Sequence, residues 1–366
     1  MARLELLLRD SNTGARTAWF TAWQQFQCTR VVNGVGGYAL VLGGEEGTMK
    51  DMIELRDLFA LDTILEVWRE DEEAGIDRYC EARFLHQDLR IWRDANGWHF
   101  MSVGVGYNDL LARTHVQAPA QTAQSIKSGY AESVLKAFVD QEAGAGAGSR
   151  ARTDLSIEAD GGGGTYLRNV NGFNTNLLAL CQHIARIGGG DFDVVGDEYG
   201  TAELRWYDGQ LGSDRRASVL FASEYNNLRF PSWMMRNTGV VNSVLVYGRG
   251  EGADRTRALV EDAASIALSK WNRREVGRDA RDVDEENETE QLEQRGQELI
   301  EKNRYAETID YQIVQTAGWM YGQHYYLGDL VSVRPLDVTY DRKIESVTIT
   351  QNEGEPEIVE VGTTSV

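Results

Sequence analysis

The chain has 366 residues, with 37 Lys plus Arg against 57 Asp plus Glu and a formal net charge of −20. Such a surplus of carboxylates opposes the gripping of DNA or RNA, because nucleic-acid affinity comes from cationic side chains that displace counterions from phosphates; it does not oppose surrounding a nucleic acid without holding it. The length exceeds one core and predicts roughly two to three domains.

The first third reads as strands: Leu4 to Leu8, a turn at Asp10 to Gly14, then Gln24 to Val32 and Tyr38 to Leu42 joined by Asn33-Gly34-Val35-Gly36-Gly37, a hairpin with Gly-rich turn chemistry. The leading apolar run is interrupted by Glu5 and too short for a signal peptide, and no stretch approaches the roughly 20 apolar residues of a membrane span, so a soluble, unexported chain without a membrane anchor is expected. A helix over Met49 to Ala60 places Met52, Leu55, Leu58 and Phe59 on one side. Thr63 to Arg69, Arg78 to Arg93 and Trp98 to Val105 complete an antiparallel set, with Asp94-Ala95-Asn96-Gly97 as a turn, and closing such a sheet into a small barrel removes its edges.

After Tyr107 to Leu111 the period changes. Ser128-Gly129 opens an amphipathic helix carrying Tyr130, Val134 and Phe138, which ends in the flexible Gly144 to Ser149 run; Gly161 to Gly164 is a second flexible loop. Leu177, Leu180, Cys181 and Ile184 line another helix between Asn174 and Ile187, followed by strands Phe192 to Val195 and Thr201 to Tyr207. Cys181, Cys28 and Cys80 are widely spaced with no Cys-x-x-Cys pair, which predicts reduced, buried thiols in a protein that folds in cytoplasm. Strands return at Ala217 to Phe221, Glu224 to Phe230 and Val240 to Tyr247.

A long acidic helix then spans about 282–305, with Leu292, Gly296, Leu299 and Ile300 on its buried stripe; its 282–301 window holds nine acids against the single base Arg295. The acids crowd the N-terminal half, where the helix dipole favours them. Asp284, Glu285, Glu288 and Glu293 are the candidates for either a solvated face or a face turned to a shared lumen. Tyr305 to Thr316 reads as a strand, and Leu327-Gly328-Asp329 forms a turn into a strand whose Val331 and Val333 alternate with Leu330, Ser332 and Arg334. Near the end, Ile344 to Thr350 and Glu357 to Val361 pair across an Asn352-Glu353-Gly354 turn.

Motifs for chemistry are weak. Gly34 to Ala39 is followed by a strand, so it presents no helix N-terminus to a pyrophosphate. Gly248 to Ala253 follows a strand and precedes Arg255 to Leu268, a stretch compatible with helix, but Trp271 to Asp284 is charged and non-alternating where a βαβ unit needs a parallel strand; a turn is expected. Asp191 to Glu198 begins like a calcium loop, yet Val195 and Ala202 stand where ligands belong. The five histidines are scattered, and no His-Glu-x-x-His or Gly-x-Ser-x-Gly occurs. No catalytic, cofactor-binding or metal-binding residue is assigned, and no cofactor is expected.

Five segments, taken in order, resemble one family: Phe26 to Gly36, Leu65 to Arg69, Val105 to Arg113, Asn242 to Gly250, and Leu327-Gly328-Asp329-Leu330-Val331. They are similar to the siphovirus-type phage tail hub (baseplate hub or tail-associated) proteins, related in fold to the contractile-tail baseplate hub. The resemblance implies an α+β, β-rich fold of two tube-type antiparallel β-barrels with inserted α+β segments: an N-terminal barrel over 1–112, an inserted domain over 113–215, and a second barrel with the acidic helix over 216–366. Leu327, Gly328, Asp329, Val331 and Val333 are the candidate barrel motif.

The same resemblance implies a virion structural protein, not an enzyme, assembled in the host cytoplasm and located in the tail tip or baseplate. It would be a homotrimer joining a hexameric tail-tube or distal tail ring protein to tip, fibre or other baseplate proteins, with genome DNA passing through its lumen without specific binding. Two other readings are a tail-associated cell-wall-degrading enzyme and a carbohydrate- or receptor-binding module built on Trp19, Trp23, Trp92 and Trp98.

Overall fold

The computed structural model describes residues 3–44, 48–73, 75–118, 122, 124–283, 287–304 and 306–365, apart from the side chains of 306–308. Contacts divide the chain into unit 1, Met1–Arg229 with Gln312–Val366, and unit 2, Phe230–Tyr311.

Unit 1 begins with β1 (Arg3–Arg9), β2 (Arg16–Phe20), β3 (Gln25–Val31) and β4 (Gly37–Gly44). The half-exposed β2, a strand not expected from the sequence, pairs with β1. Helix α1 (Met49–Leu58) starts where the Thr48 side chain accepts from Asp51 N and Asp51 reaches back to the Thr48 amide, satisfying two end donors at once; Met52 and Phe59 are its buried contacts. Strands β5 (Ile64–Asp71), β6 (Ile76–Asp94) and β7 (Gly97–Gly106) follow as expected.

The α+β segment comprises α2 (Asp109–Ala112), β8 (Ile126–Tyr130), α3 (Ala131–Glu142), β9 (Leu155–Ile157), β10 (Tyr166–Asn171), α4 (Leu177–Gly188), β11 (Gly190–Gly196) and β12 (Ala202–Asp208). Phe138 of α3, Leu177, Cys181 and Ile184 of α4, and Phe192 and Leu204 on the strands share one core with Ile64 and Leu85 of the sheet. The Gly161–Gly164 loop, expected to be flexible, is wrapped on the buried Glu132, whose carboxylate accepts from Gly161 N at 3.0 Å and Gly163 N at 2.6 Å.

After β13 (Leu220–Ala222) the chain enters unit 2 through β14 (Leu228–Arg236). Unit 2 then holds β15 (Ser243–Tyr247), β16 (Arg257–Glu261), α5 (Ala263–Ala267), β17 (Glu275–Asp279) and α6 (Glu288–Lys302), and the chain leaves through β18 (Ala306–Ile313), the partner of β14. Two sequence expectations are corrected here. Arg255 to Leu268 divides between the strand β16, antiparallel to β15, and the equally short helix α5, and Trp271 to Asp284 contains β17, parallel to β15. Every residue of β17 is exposed, so backbone pairing holds it without any alternation of apolar side chains. The acidic helix starts at Glu288 rather than near 282 and packs Leu292 and Ile300 on Val244 and Val246. A Cβ on Gly296 would stand 2.5 Å from Val260 Cγ2, so only glycine lets helix and sheet approach this closely.

Back in unit 1, β19 (Leu330–Arg334), β20 (Tyr340–Asn352) and β21 (Ile358–Ser365) end the described chain. Hydrogen bonding joins both ends of unit 1 into one eleven-stranded sheet, β13-β19-β20-β3-β4-β7-β6-β5-β1-β2, with β21 also on β20. All its pairings are antiparallel except β13 with β19. The strands expected in two barrels are thus continuous through β20 and β3, paired from Ser346 with Val31 to Asn352 with Gln25.

Pairing of β21 on β20 places Val359 opposite Ile349 and Val361 opposite Val347. Deleting residues 355–366 removes this ladder and should lower the melting temperature by several degrees, on the order of 1 kcal/mol per few degrees for a domain of this size; an unchanged melting temperature would show that β21 contributes no stability.

Candidate functional site: buried charges and the acidic helix

The Leu327 to Val333 motif is a joint in the interior. Gly328 has φ +86°, and a Cβ there would lie 2.7 Å from Gly212 N, so the two backbones touch only because both residues are glycine. The carboxylate of Asp329, 1% exposed, accepts from Ser213 N at 2.6 Å, Arg215 Nε at 2.6 Å and Tyr326 N at 2.8 Å. Leu327, Val331 and Val333 are buried. The motif therefore locks the 211–215 segment onto β19 and offers little surface to a ligand.

The acidic-helix candidates separate. Asp284 and Glu285 lie outside the described residues. Glu288, the first residue of α6, is a fastener: it accepts from Arg249 N at 2.7 Å and Thr256 Oγ1 at 3.1 Å, tying α6 to the glycine-rich 248–252 turn. The 248–252 segment joins β15 to β16 as the turn expected from the sequence. Glu293 is exposed and lines a shallow groove with Leu259, Glu261, Glu290, Gln294 and Gln297. Arg295 is held by two 2.7 Å bonds to Asp282.

The strongest electrostatic feature is one the sequence reading did not single out. Glu81, 3% exposed on β6, accepts from Arg30 Nη1 at 2.9 Å, Tyr321 Oη at 2.7 Å and Tyr79 Oη at 2.6 Å. Tyr79 Oη also accepts from Arg69, a fully buried guanidinium that donates to Tyr321 O at 2.8 Å and, through Nε and Nη2, to Glu357 just before β21. Burial pushes the Glu81 carboxyl up, but Arg30 and the two phenols outweigh it and hold the carboxyl below its ordinary value. Burial likewise opposes the Arg69 cation, yet Glu357 and Tyr79 raise its pKa above that of a free arginine. Strand parity carries a signal for this ladder, since Arg69 shares a face with Leu65 and Val67.

Beside the ladder a cavity of 270 Å³ separates β3 and β6 from β11 and β12, lined in part by Arg30, Arg83, Arg205, Cys80, Tyr107 and Asp193. Its cations are engaged: Arg83 donates to Glu66 at 2.7 Å and Gly196 O at 3.1 Å, and Arg205 to Glu203 at 2.7 Å. Burial pushes the Cys80 thiol up to about 11, far from a neutral-pH thiolate. Burial also raises Asp193 to about 6, with Arg30 and a 3.1 Å bond from Asn108 Nδ2 pulling the other way. Asp191, first residue of the calcium-like stretch, is buried and committed to Lys343 of β20, Leu211 N and Asn33.

A serine–histidine pair exists elsewhere: Ser102 Oγ lies 2.8 Å from His86 Nδ1 and 2.7 Å from Tyr38 Oη. Ser102 is 0% exposed and His86 2%, so the pair is enclosed in the sheet and its geometry serves packing. Of the four tryptophans considered as a platform, Trp23 is buried, Trp92 stacks on His99 at 4.9 Å, Trp98 is half-buried with Arg93 over its ring, and Trp19 is exposed. Among the described residues no group of His, Cys, Asp and Glu is placed to hold a metal ion, and no helix is long and apolar enough to cross a membrane.

Removing one partner of a buried ion pair leaves the other uncompensated, so Glu81→Ala should cost about 3–5 kcal/mol in chemical unfolding; a loss under about 1 kcal/mol, the range of exposed pairs, would mean the ladder is solvated. Asp193 has the opposite sign. Its folded pKa of about 6 lies above the ordinary aspartate value of 3.8, so its penalty is absent at low pH, grows as pH rises between the two values, and is complete above the folded one. Asp193→Asn should therefore raise the melting temperature at neutral pH and match the parent in acid below the carboxylate range; stabilisation independent of pH would refute this assignment.

The fold and the sequence each have relatives. The family model described as Siphovirus ReqiPepy6 Gp37-like protein matches residues 5–363. No curated protein matches the sequence. Among solved structures, the 43 kDa tail protein of prophage MuSo2 from Shewanella oneidensis is similar over 98% of this chain and 97% of its own, with TM-score 0.59 and 13% identity. The tail protein from Neisseria meningitidis MC58 is similar over 98% of this chain and 95% of its own, with TM-score 0.54 and 11% identity. A chain of a PdpA–VgrG complex matches 97% of this chain with TM-score 0.51 and 8% identity, but only 61% of that chain is covered.

Proposed function

We propose, from the premise that this chain belongs to the Siphovirus ReqiPepy6 Gp37-like family, that it is a structural hub of a phage tail tip or baseplate. The observation that carries this reading is the shared fold with a prophage tail protein across 98% of this chain and 97% of the other. Three copies form a ring that joins the hexameric tail tube to the threefold tip and encloses part of the DNA path. Its partners are then a tail-tube or distal tail ring protein on one side and tip or fibre proteins on the other, and its place is the virion, after assembly in the host cytoplasm.

The charge and the interior support this role. A chain of net charge −20 repels phosphate and releases no counterions to it, so DNA slides past without sticking. The polar clusters of unit 1 spend their hydrogen bonds on one another, as in the Glu81 ladder and around Asp329, and act as fasteners in place of reactive groups. Within this reading 1–112 and 216–366 supply the two tube-type barrels, and 113–215 is the segment inserted between them.

Cryo-electron microscopy of intact tails should place three copies around the axis at the tube-to-tip junction, with carboxylates outnumbering Lys and Arg on the channel wall. Six copies, a peripheral position or a basic wall would each overturn the proposal.

A further inference from the structure

Lys343 of β20, Asp191 of β11 and Asn33 in the turn between β3 and β4 meet inside unit 1, drawn from three distant parts of the chain. Asp191 is 1% exposed, and its carboxylate accepts from Lys343 Nζ at 2.6 Å, Asn33 Nδ2 at 2.8 Å and Leu211 N at 2.7 Å. The amine and the amide nitrogen donate to the same oxygen, Oδ1, so the two side chains stand beside each other at one carboxylate. The amide is fixed at its other end as well, where Asn33 Oδ1 accepts from Phe192 N at 2.8 Å. The main-chain oxygen of Asn33 accepts from Gln182 Nε2 at 2.9 Å, and its φ of +56° suits an asparagine in a turn.

An amine, an amide whose oxygen is held by a backbone N–H, and an enclosed carboxylate that touches both nitrogens are the parts of an amide-exchange reaction: nucleophile, polarised carbonyl and proton shuttle. An ion pair alone does not call for a lysine here. A guanidinium grips a carboxylate through two donors, and arginine supplies the buried pairs to Glu66, Glu81, Glu357 and Asp329. Lysine differs in that it can shed a proton when buried and become a nucleophile.

We infer that Lys343 and Asn33 are joined by an isopeptide bond, formed by the chain itself with Asp191 as the catalytic residue. Asp191 takes a proton from the Lys343 ammonium, and the freed Nζ attacks Asn33 Cγ. As the Nζ–Cγ bond forms, the carbonyl electron pair moves onto Oδ1, where the Phe192 N–H meets the charge. Two of the three ammonium protons pass through Asp191 to Nδ2, the Cγ–Nδ2 bond breaks, and that nitrogen leaves as ammonium while the third proton stays on the new amide. Charge and electrons balance without any oxidant, reductant or co-reactant, and Asp191 ends as it began. Asn33, Phe192 and Leu211 line the 270 Å³ cavity, which gives the leaving ammonia room. The bond ties the first hairpin to β20 and makes covalent a closure that strand pairing alone otherwise holds. It goes beyond the hub reading and does not depend on it.

The test is mass spectrometry of the purified, folded full chain. Under denaturing conditions the intact mass should fall about 17 Da below that of the sequence, the loss of one ammonia, and a tryptic digest should contain a branched peptide joining residues 31–50 to residues 343–366. Lys343→Arg keeps a cation at Asp191 but forms no such amide, so it should show the full mass of its sequence with unchanged circular dichroism. Asn33→Gly, which accepts the positive φ and removes the carbonyl under attack, should also show its full mass. A parent at full mass overturns the inference, as does a Lys343→Arg variant that keeps the deficit. A loss of about 17 Da on the 31–50 peptide alone, with 343–366 unlinked, overturns it too, since Asn33-Gly34 closing on its own backbone as a succinimide gives that mass without Lys343.

Discussion

Burying a carboxylate costs several kcal/mol unless cations and hydrogen bonds surround it, and unit 1 is organised around one that is fully surrounded. Glu81 receives an arginine from β3 and two phenols, one from its own strand and one from the 314–329 segment, while Tyr79 passes the contact to Arg69 and so to Glu357. Its members come from β3, β5, β6, the 314–329 segment and the residue before β21, so the ladder forms only when the N-terminal and C-terminal parts of unit 1 are both in place. Apolar burial supplies most of the driving force of such a sheet, but it does not distinguish one register from the next as sharply as an interior ion pair whose misplacement strands a charge.

The same device recurs at smaller scale. Asp329 gathers the 211–215 segment onto β19, Asp191 takes Lys343 of β20 together with Asn33 and Leu211 N, and Glu132 holds the glycine loop at 161–164. These carboxylates account for part of the acidity that composition alone assigns to the surface. Asp193 runs against the pattern: it faces the cavity, and burial leaves it protonated to higher pH than its neighbours.

Much of the fold was legible because strand alternation and turn chemistry are local. The hairpin of β3 and β4, the β5 to β7 meander, helices α3 and α4, and the pairing of β20 with β21 all follow from apolar spacing and Gly or Asn turns. Strand β17 was not legible, since an exposed strand held by its backbone leaves no apolar pattern, and within the helix-compatible 255–268 stretch Arg257 to Glu261 pairs as β16. The Leu327-Gly328-Asp329 motif was visible, but its reason was not: Asp329 works on Ser213 and Arg215, more than a hundred residues earlier. For the acidic helix, composition marked the carboxylates without separating Glu288, committed to the 248–252 turn, from Glu293, which is open.

The pairing of β20 with β3 bears on how the chain is made. Strand β3 leaves the ribosome first, yet the strand that covers its outer edge lies more than three hundred residues downstream, whereas unit 2 is contiguous and completes its own contacts during synthesis. Contacts of such long sequence separation form slowly and expose unpaired edges meanwhile. The growing polypeptide therefore carries an open β3 edge until translation has passed Asn352, and any product truncated earlier keeps that edge exposed to pairing with another chain.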